Sequence, residues 1–88
     1  MSSTFNSYIS RKIQSLYSVD YNDQVIRSRY LVEIVRHVVD ETNTQPNLLQ
    51  KFLTILQYVP TLLSHKCDTL TTRRNVLHAL VHDIAKMQ

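Results

Sequence analysis

The 88-residue chain has no glycine and no tryptophan, two prolines (Pro46 and Pro60) and one cysteine, Cys67. Glycine reaches positive φ without strain, and hairpin turns, phosphate-cradling loops and tight active-site turns depend on it. Its absence argues against β-hairpins, dinucleotide folds and P-loop sites together. A lone cysteine excludes an internal disulfide and suits a reducing intracellular setting, cytoplasmic or nuclear. Long apolar runs are missing as well. The longest stretch free of Lys, Arg, Asp and Glu, residues 52–65, has 14 residues, short of the ~18 that a spanning helix needs. It reads as a buried helix, and no membrane partner is expected.

What is present describes a small folded chain. Hydrophobic residues make up 43% and charged residues 19%, too apolar and too weakly charged for disorder. Eighty-eight residues fit a single domain spanning 1–88, which buries only roughly 60–65% of its unfolded surface. The acid-free first nineteen residues carry only Arg11 and Lys12. That is too few for a mitochondrial presequence, so they read as an ordinary first helix.

Periodicity predicts an all-α, compact single-domain bundle of about four helices. Residues 4–18 place Phe5, Ile9, Ile13 and Leu16 on one face, with Thr4 as a candidate cap. In "LVEIVRHVVDE" the apolar residues recur with a 3.6-residue period, and Asn22 or Asp23 stands where an N-cap belongs. Seven β-branched residues between 25 and 39 lower helix propensity there, but burial outweighs propensity. Arg36 with Asp40 and His37 with Glu41 are candidate i,i+4 pairs. "ETNTQPN", 41–47, is the expected loop, with Thr44 capping a third helix over 48–65. That helix is apolar around most of its circumference and so is expected to be surrounded by others, and kinked or broken near Pro60. A fourth helix over 69–87 carries Leu70, Leu77, Leu80, Val81 and Ile84, with Asp68 or Thr69 as cap.

Three constellations invite a chemical reading. The stretch "VHDIAK" resembles the metal site of HD phosphohydrolases, in which His and Asp on a helix hold a catalytic metal. That site also takes an earlier His and a later Asp. Five residues follow Asp83, Ala85 stands where the family usually has Gly, and adjacent helical residues point about 100° apart. His82-Asp83 therefore reads as the polar edge of an amphipathic helix. Secondly, His78 and His82 have the i,i+4 spacing that lets two imidazoles share a zinc, and His65-x-Cys67 lies upstream. The set His65, Cys67, His78, His82 resembles a zinc-finger ligand order loosely. The first Cys is missing, and the ten residues between Cys67 and His78 do not match finger spacing. The sequence reading is accordingly no metal and no cofactor, with Cys67 packed as a small apolar residue.

Thirdly, the net charge is +3, with the basic residues scattered except at "TLTTRRN". Two arginines at the start of a helix stand where the macrodipole disfavours cations. Thr72, Arg73 and Arg74, extended by Arg27 and Arg29, are therefore candidates for binding an anion or an acidic partner.

No nucleophile with a base, no carboxylate pair and no room for a substrate pocket stand out, so the chain reads as a non-enzyme without a small-molecule substrate. The leading expectation is a protein–protein interaction module, an adaptor or regulatory subunit of a larger intracellular complex. It associates with a protein partner or with itself through Tyr21, Val25, Tyr30, Val32 and Val39. The alternative is a small basic nucleic-acid-binding domain reading through Thr72, Arg73, Arg74 and Asn75 at the start of the fourth helix.

Overall fold

The computed structural model describes residues 2–87, with the side chains of residues 2, 3, 4 and 6 set aside. Four helices follow one another: α1 (Ser2–Ser15), α2 (Gln24–Thr44), α3 (Leu49–Leu63) and α4 (Leu70–Ala85). Three 3-10 turns join them, at Val19–Asn22, Pro46–Leu48 and His65–Asp68. No strand occurs among the described residues. The radius of gyration is 12.5 Å, against about 12 Å for a compact chain of this length. Among the described residues, no helix is long and apolar enough to cross a membrane.

The helix faces follow the sequence periods. Phe5, Ile9, Ile13 and Leu16 of α1 are all buried, with Leu31, Ile34 and Val38 of α2 and Leu77, Leu80 and Ile84 of α4 facing them. From the α3 side come Leu48, Ile55 and Leu62, and Cys67 closes the core below. Each such side chain is worth roughly 1.5–3 kcal/mol when fully buried.

Helix ends depart from the expected positions where local chemistry decides them. Asp23 is the cap of α2: its carboxylate accepts from the amides of Val25 at 2.8 Å and Ile26 at 3.3 Å. The expected 41–47 loop is mostly helix, because nothing before Pro46 stops α2. Thr42 and Thr44 bond back to the carbonyls of Val38 and Glu41, and Thr44 ends α2 instead of capping α3. Gln45, the residue before proline, leaves helical geometry at φ −133°, ψ 79°, as the proline ring requires of its predecessor.

Helix α3 passes through Pro60 and ends at Leu63, within its last turn. Thr69 sits at the N-cap of α4 without making a side-chain cap bond. Helix α1 begins at Ser2 and stops at Ser15. The expected cap, Thr4, has its side chain outside the described residues.

Neighbours in sequence are neighbours in space. Helices α2 and α3 run antiparallel, the start of one tied to the end of the other where Gln24 Nε2 donates to the Leu63 carbonyl. On one flank of α2, Tyr30 donates its hydroxyl to the Lys12 carbonyl at 2.9 Å, and His37 stacks on Tyr8 with ring centroids 3.9 Å apart, which fixes α1 there. On the far flank of α3, the Tyr58 hydroxyl donates to the Asp83 carboxylate of α4. Helices α1 and α4 touch in turn and close the bundle.

Candidate functional site

Two features stand out from the side chains upward: a buried pair of arginines at one end of the bundle, and an uncovered apolar side. Arg27 and Arg73 are 0% exposed, which is rare for a charged residue unless its donors are satisfied. Arg27 sends Nε to the Leu62 carbonyl at 2.6 Å and Nη1 to the carbonyls of Tyr21 and Asn22. Its Nη2 reaches the Ser64 carbonyl at 3.0 Å and Asp68 Oδ1 at 2.8 Å. All five of its N–H groups are thereby occupied. Arg73 sends Nε to the Leu16 carbonyl, Nη1 to that of Cys67 and Nη2 to that of Ser18, each at 2.7 Å, and Nη2 also reaches Asn22 Oδ1 at 3.0 Å.

The Leu16 and Ser18 carbonyls follow α1, those of Ser64 and Cys67 follow α3, and that of Leu62 lies in the last turn of α3, where a helix leaves acceptors unfilled and its dipole is negative. Arg73 thus stands at the wrong end of its own helix in order to reach the right end of another. Arg27 and Arg73, expected to meet an anion or an acidic partner, are both buried, with their guanidinium groups hydrogen-bonded inside the fold. Burial, with Arg27 close by, pulls the Arg73 guanidinium below its usual range. Asp68 takes a hydrogen bond from His65 and another from Arg27, and its carboxyl is held below the ordinary range for both reasons, the first the larger.

The remaining sequence candidates are dispersed. Arg29, Arg74 and Asn75 are exposed, and Thr72 is half-buried with its hydroxyl bonded to that of Thr69 at 3.1 Å. The interior position of Arg73 removes it from the surface proposed for nucleic acid. Tyr21 packs on Tyr30 with ring centroids 5.0 Å apart, on the α1 side of α2 and away from Val25, Val32 and Val39. The expected Arg36–Asp40 pair is not formed, whereas His37 and Glu41 approach to 3.5 Å.

The four residues considered for zinc do not converge. Cys67 is in the core, His65 is turned outward onto Asp68 at 3.0 Å, His78 lies against Tyr17, and His82 is exposed. No group of three or more His, Cys, Asp or Glu among the described residues is arranged to hold a metal. Burial raises the Cys67 thiol above its usual value, which disfavours the thiolate that metals and electrophiles require. Asp83 is tied to Tyr58 and lies 3.8 Å from Lys86, on a different face from His82.

Hollows are small or open. The enclosed one at the centre, between Ile9, Leu16, Leu31 and Ile55, measures about 10 Å³. A dimple between α1 and α4 at Ile13 and Val81 measures about 60 Å³. A wider depression of about 360 Å³ beside Thr54, Gln57, Asp83 and Met87 lies open to solvent, with Asp83 already hydrogen-bonded by Tyr58.

The second feature is the outer side of α2 and α3. Val25, Val32 and Val39 of α2 and Leu49, Leu53 and Leu56 of α3 are between 37% and 57% exposed. Seven-residue spacing keeps Val25, Val32 and Val39 in one row, and Leu49 and Leu56 in another. Because α1 holds the opposite flank of α2 and α4 the opposite flank of α3, the rows face outward together, with half-buried Val35, Phe52 and Val59 in the seam between them.

The antiparallel register places Val32 level with Leu56 and Val39 level with Leu49. The leucines were missed because α3, apolar nearly all round, was expected to be enclosed; instead it is an outer helix. The signal was present in its surplus of apolar residues. No protein-family model, curated protein or solved structure matches the chain.

Proposed function

We propose that this chain is a non-enzymatic protein-binding module whose contact surface is the outer α2–α3 side. The observation that carries the reading is the double row of half-exposed valines and leucines. Soluble chains rarely leave such patches uncovered without a partner. Covering the exposed part of these six side chains is worth about 4–8 kcal/mol, at roughly 1.5–3 kcal/mol for each full burial. Association costs about 4–15 kcal/mol, so a partner offering an equal apolar face tips the balance. The small interior hollows among the described residues support a binding role over catalysis. The single core cysteine suits a reducing intracellular compartment, and the role is that of an adaptor or regulatory subunit.

The test compares proteins captured from a cell extract by the native chain, by Val32→Glu and Leu53→Glu, and by Arg74→Glu, with circular dichroism of each. Capture lost by the two face variants at unchanged helicity, and kept by Arg74→Glu, is the expected result. Face variants that unfold, or that capture as the native chain does, refute the reading. Nucleic acid that co-purifies and is released steeply by salt, and is lost in Arg74→Glu, would instead favour a basic binding domain.

A further inference from the structure

The geometry points to a second copy of this chain as the occupant of the α2–α3 side, in a twofold dimer whose axis runs parallel to the helices. The inference rests on the protein-binding reading above and names its partner. Three observations select it.

The first is shape. Helix α2, with 21 residues, is about 31 Å long, nearly the full 34 Å of the molecule's long axis, and two helices abreast span about 20 Å of its 22 Å width. Helices α2 and α3 therefore make up a whole broad side, along which the valine row runs for about 21 Å and the leucine row for about 10 Å. Such a side offers area of the order of the ~800 Å² per partner that standard interfaces use, and a two-helix face matches another two-helix face.

The second is register. With the axis parallel to the helices, α2 of one copy lies antiparallel on α3 of the other, and heights are preserved. Val32 then meets Leu56 of the second copy and Val39 meets its Leu49, small side chains against large ones at the same seven-residue spacing. The contact is isologous, each copy giving a valine row and taking one, and it closes without leaving a row free.

The third is charge. The rim of the face carries Arg29, Glu33, Arg36 and Asp40 on α2 and Gln50, Gln57 and Thr61 on α3, all of them exposed. It sums to zero, so the chain's net +3 resides elsewhere and the face does not select a partner of opposite sign. With the parallel axis, Arg29 and Arg36 stand near Gln57 and Gln50 of the second copy, whose amide oxygens accept from guanidinium groups. An axis across the helices would lay α2 on α2 about Val32 and bring Arg29 beside Arg36 of the other copy, like against like, twice.

The experiment is native mass spectrometry with light-scattering chromatography over about 1–100 µM protein. The native chain is expected at twice 10.3 kDa. Val32→Glu and Leu56→Lys alone should each shift the dissociation constant at least tenfold towards monomer, and their one-to-one mixture should recover a heterodimer, because Glu at 32 then faces Lys at 56. Val32→Cys mixed with Leu56→Cys should form a disulfide between copies that neither variant forms alone. Cys67, fully buried, does not compete, and this readout stands even where a charged variant loses helicity.

A native chain that stays monomeric, single variants that remain dimeric, or a mixture without heterodimer overturns the inference. Monomer with folded face variants rejects the second copy alone. Charged face variants that unfold, together with cysteine variants that form no disulfide between copies, reject the binding surface itself.

Discussion

Replacing Arg73 by alanine tests the buried-arginine arrangement most sharply. The side chain makes four hydrogen bonds, to the carbonyls of Leu16, Cys67 and Ser18 and to Asn22 Oδ1, at 2.7–3.0 Å. Truncation leaves the buried bonds to the Leu16 and Cys67 carbonyls unmade, and it opens a void the size of a guanidinium. A hydrogen bond to a charged group is worth about 1.5–3 kcal/mol, and each buried acceptor left orphaned costs ~1–3 kcal/mol. Partial relaxation and water entry reduce the total, and we expect a loss of about 3–5 kcal/mol.

A domain of this length holds only about 4–13 kcal/mol in all, so Arg73→Ala should lower the midpoint by roughly 15–30 °C or leave the chain unfolded at room temperature. Arg73→Lys keeps the charge but not the planar fork, and should recover less than half of the loss. The neighbour Arg74, exposed on the same helix, is the control, and Arg74→Ala should stay within about 0.5 kcal/mol. Urea and thermal unfolding followed by circular dichroism read all three. Equal effects at 73 and 74, or a near-neutral Arg73→Ala, would refute the assignment of Arg73 to the interior.

Acid and base should each erode stability with a defined sign. The Asp68 carboxyl is held low in the fold by its bonds from His65 and Arg27, so its contribution is present above the ordinary carboxylate value. It drains as pH falls from about 4 towards the lowered folded value, and Asp68→Asn should flatten that slope in pH-dependent urea midpoints. At the other end, the Tyr58 hydroxyl is raised by its bond to Asp83, and Tyr17, Tyr21 and the Cys67 thiol chiefly by burial. Their contribution is complete below the unfolded values and is lost as pH climbs through about 9–10 and above; Tyr58→Phe should remove part of that alkaline loss. Asp23→Ala should cost about 1 kcal/mol, because the α2 amides of Val25 and Ile26 lose their cap, and Asp23→Asn should cost less. Thermal midpoints decide it, and an unchanged Asp23→Ala would show that the cap bonds carry no net stability.

The sequence by itself determined the elements and most of the core. Phe5, Ile9, Ile13 and Leu16 repeat at helical spacing and all lie buried, because periodicity is a local property that needs no knowledge of neighbours. The lack of glycine removed strands and tight loops from consideration, and Asn22-Asp23 marked the start of α2, with the structure choosing Asp23 as the cap.

Tertiary structure alone decided which arginine of each nearby pair goes inside. Arg27 and Arg73 are consumed while Arg29 and Arg74 remain outside, since three of the four acceptors of Arg73, on Leu16, Ser18 and Asn22, lie in the segment between α1 and α2, as much as 57 positions away in the chain. No local preference records that distance. Packing likewise decided which leucines of α3 are covered. A helix apolar all round tells only that it wants neighbours, and α2 and α4 pack along other parts of its surface, leaving Leu49, Leu53 and Leu56 to face outward beside the valines of α2.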